Sequence, residues 1–383
     1  MSNASQVQLS YQKEVTYGVD PAGTRKVQRF TSESLKRTQQ FLKSREIDAT
    51  RQIPAQTRVD VGAAGGVSGF LSYGAYDDWF EWLLQADATW STETSLTDSA
   101  TISANNTNHF LDSANGFTTI TVGDWIRTTG WTNAANNGYW KVSVKTSDGD
   151  ITVVGGTTVT EAAGAGTRDI TVGQAITNGT TFASMVIEKK FSDITRFETL
   201  TGMSLDKATI ALTPKKEITV DFSFVGKIDA AAGASAGSGY TAAPTNPIMN
   251  GVGNVTAIRE ANAAITLSEL RLNLTNALRT RNVLGTLGPD SLGSGAFEAE
   301  GDFEGYYASD SLVSKSDADT ETSLAFIVVD ANSKGYVVDI PSVKLTETER
   351  LATGVDGDVM AKFKFAAFKN ATEAKSCRIV RFP

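Results

Sequence analysis

A mainly β chain is predicted, built from one β-rich plan written twice, with a small all-β domain inserted into the first copy. Two observations predict it. The alternating run Val67-Ser68-Gly69-Phe70-Leu71-Ser72-Tyr73 leads into a short helical stretch from Tyr76 to Leu84, and much later Ala299 to Tyr307 leads in the same way into Ser309-Asp310-Ser311-Leu312-Val313. Each unit is then followed by further strands and a long closing strand ending in Lys: Phe222 to Lys227 in the first copy, Phe363 to Lys369 in the second. Residue identity between the copies is low, so the repeat is one of pattern. A duplicated module supplies two quasi-equivalent units per chain, which points to rings and assemblies before catalysis.

Taken in order, residues 1–96 and 176–228 read as the first copy. Short strands near Gln6 and Val27 precede a long Arg-, Lys- and Gln-rich loop from Lys36 to Arg58. Residues 97–175 change abruptly to Ser, Thr, Asn and Gly and carry strands near Val122–Ile126, Gly138–Val144 and Ile151–Val154, with Asp148-Gly149 as a hairpin turn. This is the inserted small all-β domain. The first copy resumes at Phe182 and closes with Ile218–Phe224, which alternates apolar and polar residues as a half-buried strand does. Residues 229–264, with Ala230 to Gly239 almost wholly Ala, Gly and Ser, read as a flexible linker. The second copy, 265–383, holds a Leu267/Leu270/Leu272/Leu274 segment, a loop from Asn276 to Gly295, and strands at Ser323–Val329, Gly335–Lys344, Val359–Phe368 and Arg378–Phe382. Asp330 to Gly335 resembles the start of a calcium loop, but Lys334 stands at a ligand position and Pro341 where the bidentate Glu belongs, so it reads as a hairpin turn.

Composition narrows the function classes. With 40% hydrophobic and 20% charged residues the chain is globular, and 383 residues suffice for two or three domains. A net charge of −8 gives no global basic field for nucleic acid or anionic lipid. No apolar run reaches the roughly 18 residues of a membrane helix, and the N-terminus lacks signal-peptide character, so no membrane partner is expected. The single Cys377 excludes an intrachain disulfide. One Cys and one His109 cannot build a Cys/His-rich zinc site. His109, in a polar segment with no Gly-x-Ser-x-Gly elbow, reads as a solvated loop residue. No cofactor, no metal and no enzymatic activity are expected.

Two constellations remain. On Phe297 to Tyr306 one face is apolar or small, and the other carries Glu298, Glu300, Asp302 and Glu304. Alternate residues on a strand lie about 6.7 Å apart, so neighbouring carboxylates repel by roughly 0.6 kcal/mol in water. Either bases such as Lys362 and Lys364 on a neighbouring strand compensate the row, or the row is an acidic surface that repels a polyanion. In the insert, Trp125, Trp131 and Trp140 are either anchors of a small core or a carbohydrate platform.

Several segments resemble the tail tube (major tail) proteins of long non-contractile tailed bacteriophages, the siphophages. They are Ser44-Arg45-Glu46-Ile47-Asp48, Arg51-Gln52-Ile53-Pro54, Ser72 to Asp78, Phe191 to Ile194, Thr201-Gly202-Met203, Phe224 to Lys227, Asn276-Ala277-Leu278, Val283-Leu284-Gly285 and Ile340 to Leu345. They cover most of the chain outside the insert, which departs from the minimal family plan. The resemblance implies two tandem tail-tube-type β-sandwich domains that form a barrel, each with a short flanking helix. It implies rings stacked into a conduit for genome ejection, with an acidic lumen to which Glu298, Glu300, Asp302 and Glu304 contribute. Arg45, Glu46, Asp48, Arg51, Arg58, Arg279 and Arg281, on the two long loops, would join successive rings. Two domains per chain imply a homotrimeric, pseudo-hexameric ring with the insert outside. The partners implied are the chain itself, tape-measure, tail terminator and tail tip proteins, and viral double-stranded DNA passing without specific binding. The implied location is the virion tail, assembled in the host bacterial cytoplasm. The alternative is a capsid decoration or host-surface adhesion protein with a carbohydrate-binding insert. A glycosidase is a distant third, because its carboxylates would share one flat strand face.

Overall fold

In the computed structural model, residues 3–383 are described except 48, 99, 165, 353, 354 and 356. Strand accounts for 51% of the chain and helix for 6%, so the fold is mainly β. Its centre is an antiparallel half-barrel that runs through both halves of the chain. The first half contributes β1 (Lys36–Lys43), β2 (Gln56–Phe70), β3 (Arg196–Leu212) and β4 (Thr219–Gly226). The second contributes β5 (Glu269–Thr275), β6 (Glu298–Tyr306), β7 (Gly335–Ala352) and β8 (Val359–Ala367). Pairing runs β1-β2-β4-β3 in the first half and β5-β6-β8-β7 in the second, joined by β3 to β5.

The two halves share their registers residue by residue. Val67 faces Phe222 across β2 and β4, between Gly65 facing Phe224 and Gly69 facing Val220. Phe303 faces Phe363 across β6 and β8, between Gly301 facing Phe365 and Gly305 facing Ala361. One β-bulge recurs at the same step: between Leu205 and Lys207 on β3, and between Leu345 and Glu347 on β7. The glycines are required by a close backbone approach that also recurs. A Cβ at Gly65 would lie 2.4 Å from the Ser34 carbonyl oxygen, and one at Gly301 would lie 2.1 Å from that of Arg271.

β3 and β7 are long because each serves two layers. Their C-terminal halves lie in the half-barrel, and their N-terminal halves pair with Met185–Phe191 and Thr322–Val329 respectively. Between the layers lies one continuous core. Strand alternation sends Phe222, Phe224, Leu272, Phe303 and Phe363 into it, with Trp79 and Phe80 of α1 (Asp77–Leu83) and Val313 of α2 (Ser311–Asp317). Trp79 packs edge-on against both Phe222 and Phe224, with ring centroids 5.0 and 5.1 Å away. Asp77 opens α1, where the helix dipole favours a carboxylate. It is bonded by Tyr336 and Arg381 of the second half; burial raises its pKa, and Arg381 and Tyr336 oppose that rise.

The stretch 229–264 is not a loose linker. Ile228–Ala232 pairs with β3, Gly239–Thr241 runs parallel to Thr24–Gln28, and Val255–Glu260 pairs with Thr322–Val329. A buried ion pair anchors the middle of the stretch. Glu188 and Arg25, both side chains 0% exposed, lie 2.6 Å apart, and Glu188 also accepts from Ser235 (2.9 Å) and Tyr240 (2.6 Å). The small residues here fit a tight space: a Cβ on Gly237 would meet the Arg25 side chain at 2.8 Å. Leaving either charge of such a pair alone costs about 3–5 kcal/mol.

The insert is a seven-stranded sheet from Thr94–Thr97 to Asp169–Val172, strands that pair with each other, so its two ends are adjacent. Trp131 and Trp140 sit in its own core with Phe110. Trp125 does not. It joins Ala325, Ile327, Val337, Val380 and Phe382 in a separate cluster between the insert and the second half. Thr322–Val329 is therefore buried on both faces, which accounts for its unbroken apolar run. Lys141 of the insert ties the same contact to Asp339 (2.9 Å) and Glu373 (2.7 Å). The layers run in order from the polar face of the half-barrel through the core and the second layer to the insert. His109 lies on a strand, not in a loop, with its Nδ1 2.6 Å from Asp150 Oδ1. The Asp330 turn closes by Asp330 Oδ1 accepting from the Asn332 and Lys334 amides.

Candidate functional site, the polar face and its free edges

The face of the half-barrel turned away from the core is polar along its length. In the first half charges are few and mixed, with Lys36 on β1, Gly66 and Ser68 on β2, Lys207 on β3 and Thr219, Asp221 and Ser223 on β4. The second half carries most of the charge. Glu298, Glu300, Asp302 and Glu304 stand in a row on β6, between Glu269 and Arg271 on β5 and Lys362 and Lys364 on β8. Glu347 and Glu349 follow on β7.

Compensation of the acidic row is partial. Lys362 lies across from Glu304, and Lys364 and Arg271 flank Asp302, while Glu300 faces Asn273 and Ala366 and Glu298 faces Thr275. Among the described residues none of the four acids forms an ion pair within 4 Å, and Glu298 and Glu300 are exposed. Lys364 turns instead to Glu347; that hydrogen bond raises its pKa, with nearby Glu349 and Asp302 adding to the rise. The row thus faces bases at one end and open solvent at the other.

Both excursions expected as loops are hairpins. Lys36–Lys43 and Gln56–Phe70 pair directly, leaving a connection of 44–55 with Arg45, Glu46 and Arg51 exposed near its tip and Arg58 exposed on β2. Asp48 lies outside the described residues. Arg279 and Arg281 are exposed on Arg279–Arg281, which pairs with Ser291–Gly293. None of these arginines has an ion-pair partner among the described residues. Trp125, Trp131 and Trp140 are 1%, 5% and 4% exposed, so no indole face is presented for stacking on a sugar.

The sequence does not show which strands form the open edges. Among the described residues β1 pairs only with β2, and beyond Leu345 β7 pairs only with β8. Every residue of β1 is exposed, as are nearly all of β7 from Thr346 to Ala352. The available signal was the absence of an apolar face in Lys36-Arg37-Thr38-Gln39-Gln40 and Thr346-Glu347-Thr348-Glu349-Arg350. Long open edges are ladder templates that a monomer ordinarily covers.

Among the described residues no group of three or more His, Cys, Asp and Glu could hold a metal ion. No helix is long and apolar enough to cross a membrane. Cys377 is fully buried, and burial pushes its thiol up to about 12. The site is thus an open half-barrel with one polar face and, among the described residues, two unpaired edges. The family model for phage tail tube protein matches residues 4–367. The chain belongs to that family, a structural and not an enzymatic one, and is a component of the virion tail. No curated protein matches the chain.

Proposed function

We propose that the chain is the ring-forming subunit of a long non-contractile tail, and that its stacked rings form the conduit for genome ejection. The observation that carries this is the half-barrel itself: one face buried in a continuous core, the other polar and predominantly acidic in its second half. Closing several copies abolishes the edges and turns the polar face inward. An acidic lumen lets DNA pass without being held. Two equivalent halves per chain make three chains a ring with six quasi-equivalent sectors. The insert lies outermost in the layer order, so it projects from the tube. The two hairpins bearing Arg45, Glu46, Arg51, Arg58, Arg279 and Arg281 reach the neighbouring ring; tape-measure, terminator and tip proteins complete the tail, which assembles in the host cytoplasm. A host-surface adhesion role has less support, since its aromatic platform is buried.

Electron microscopy of purified protein at rising concentration tests the proposal. Rings or tubes with a central channel are expected. Dispersed monomers at all concentrations, with or without the tail tip, would contradict it.

A further inference from the structure

We infer that the seam between neighbouring subunits is an antiparallel pairing of β7 of one copy with β1 of the next, in a register that sets Glu349 against Lys36. This deepens the ring reading and rests on it. The internal seam is the template. β3 and β5 join the halves with Lys207 opposite Thr275, Thr209 opposite Asn273 and Leu212 opposite Leu270.

Each edge left open is the counterpart of one strand in that seam. β7 beyond Leu345 corresponds to β3 beyond Leu205, because both follow the same bulge and pair with equivalent Phe-x-Phe strands. β1 corresponds to β5: Lys36 faces Ala64 and Thr38 faces Gly62, just as Asn273 faces Glu300 and Thr275 faces Glu298 on the partner strand. The anchors are the crowded Gly65 and Gly301. Carrying the internal register across puts Glu347 opposite Thr38, Thr348 opposite Arg37, and Glu349 opposite Lys36 of the second copy.

The chemistry agrees with that register. The internal pair Thr209–Asn273 makes a 2.8 Å side-chain hydrogen bond on the polar face. At the same place the open edges offer a carboxylate and an ammonium, both exposed. A slip of one residue would set Glu349 against Leu35 or Arg37 and turn each side chain to the other face. Charge complementarity at this step selects a second copy of the chain as the occupant of the edge.

Disulfide trapping tests the register. Asn276 donates its amide to the Asp206 carbonyl. Hydrogen-bonded and non-hydrogen-bonded pairs alternate along the ladder, so Thr209–Asn273 is non-hydrogen-bonded, with Cα atoms about 4.5 Å apart, within reach of a disulfide. The chain's single cysteine, Cys377, is buried and will not interfere. In assembled protein carrying Glu349→Cys with Lys36→Cys, oxidation is expected to link chain to chain. Glu349→Cys with Arg37→Cys or with Gln40→Cys is expected not to link. Rings that link only through another pair overturn the seam and leave the tube reading standing. Absence of rings from the unmodified chain overturns both. As a check independent of cysteine chemistry, Glu349→Lys and Lys36→Glu should each raise the critical concentration for assembly about tenfold, and together restore it. Singles without effect, or a double variant no better than the singles, would also overturn the seam.

Discussion

Replacing Glu298, Glu300, Asp302 and Glu304 together by lysine is expected to turn assembled tubes from DNA-indifferent to DNA-retaining. The row lies between strands that already carry Arg271, Lys362 and Lys364 on the same face. The new lysines join those bases in one basic band, with Glu269, Glu347 and Glu349 left as the acids beside it. About four new phosphate contacts per chain would make affinity fall about 10²-fold between 50 and 200 mM salt. Co-sedimentation of short duplexes with tubes across a salt series measures this. The four-Gln variant should give a weaker effect of the same sign, and it serves as the readout if four lysines disturb the sheet. Tubes that ignore DNA in both variants would place the row away from the DNA path.

The second large effect concerns the insert. Its position on the chain is that of a free-standing appendage replaceable by a short bridge, but the structure argues otherwise. Ala325, Ile327, Val337, Val380 and Phe382 share a buried cluster with Trp125 of the insert, and the insert's Tyr139 packs edge-on against Phe382. Removing 97–175 would expose that patch, together with the Asp339 and Glu373 carboxylates that Lys141 neutralises. Excised protein is expected to aggregate. Trp125→Ala should lower stability by about 3–5 kcal/mol and loosen the second half, seen as faster hydrogen exchange at Thr322–Val329. Trp140→Ala, inside the insert's own core, should leave exchange at those residues nearly unchanged. An excised chain that stays soluble with an unchanged melting temperature would contradict this account.

What was legible in the sequence was whatever repeats with period two against a core. Val67 to Phe70, Phe222-Ser223-Phe224 and Phe363-Lys364-Phe365 alternate because one side of each strand is buried, and the acidic row is visible for the same reason. The strands around β1 and the end of β7 were not legible as strands. Both are almost wholly exposed on either face of the sheet, so neither needs an apolar face. Residues 229–264 were misread because Ala, Gly and Ser serve a flexible linker and a tight fit against Arg25 equally well. Only Glu188, far away in sequence, decides between them. Trp125 could not be separated from Trp131 and Trp140 without the second half, whose strand it covers. The duplication was readable as a pattern; its strongest support, the bulge shared by Leu205/Lys207 and Leu345/Glu347, exists only in the pairing.

Counting the chains in one ring tests the central claim most directly. If the internal β3–β5 seam and the β7–β1 seam are equivalent joints of one closed barrel, each chain spans two of six sectors. Native mass of isolated rings, or the rotational symmetry of a tube cross-section, then gives three chains, with threefold symmetry and a sixfold pattern of density around the channel. Six chains per ring would contradict the account, because the halves of one chain would then not be the repeating unit of the tube.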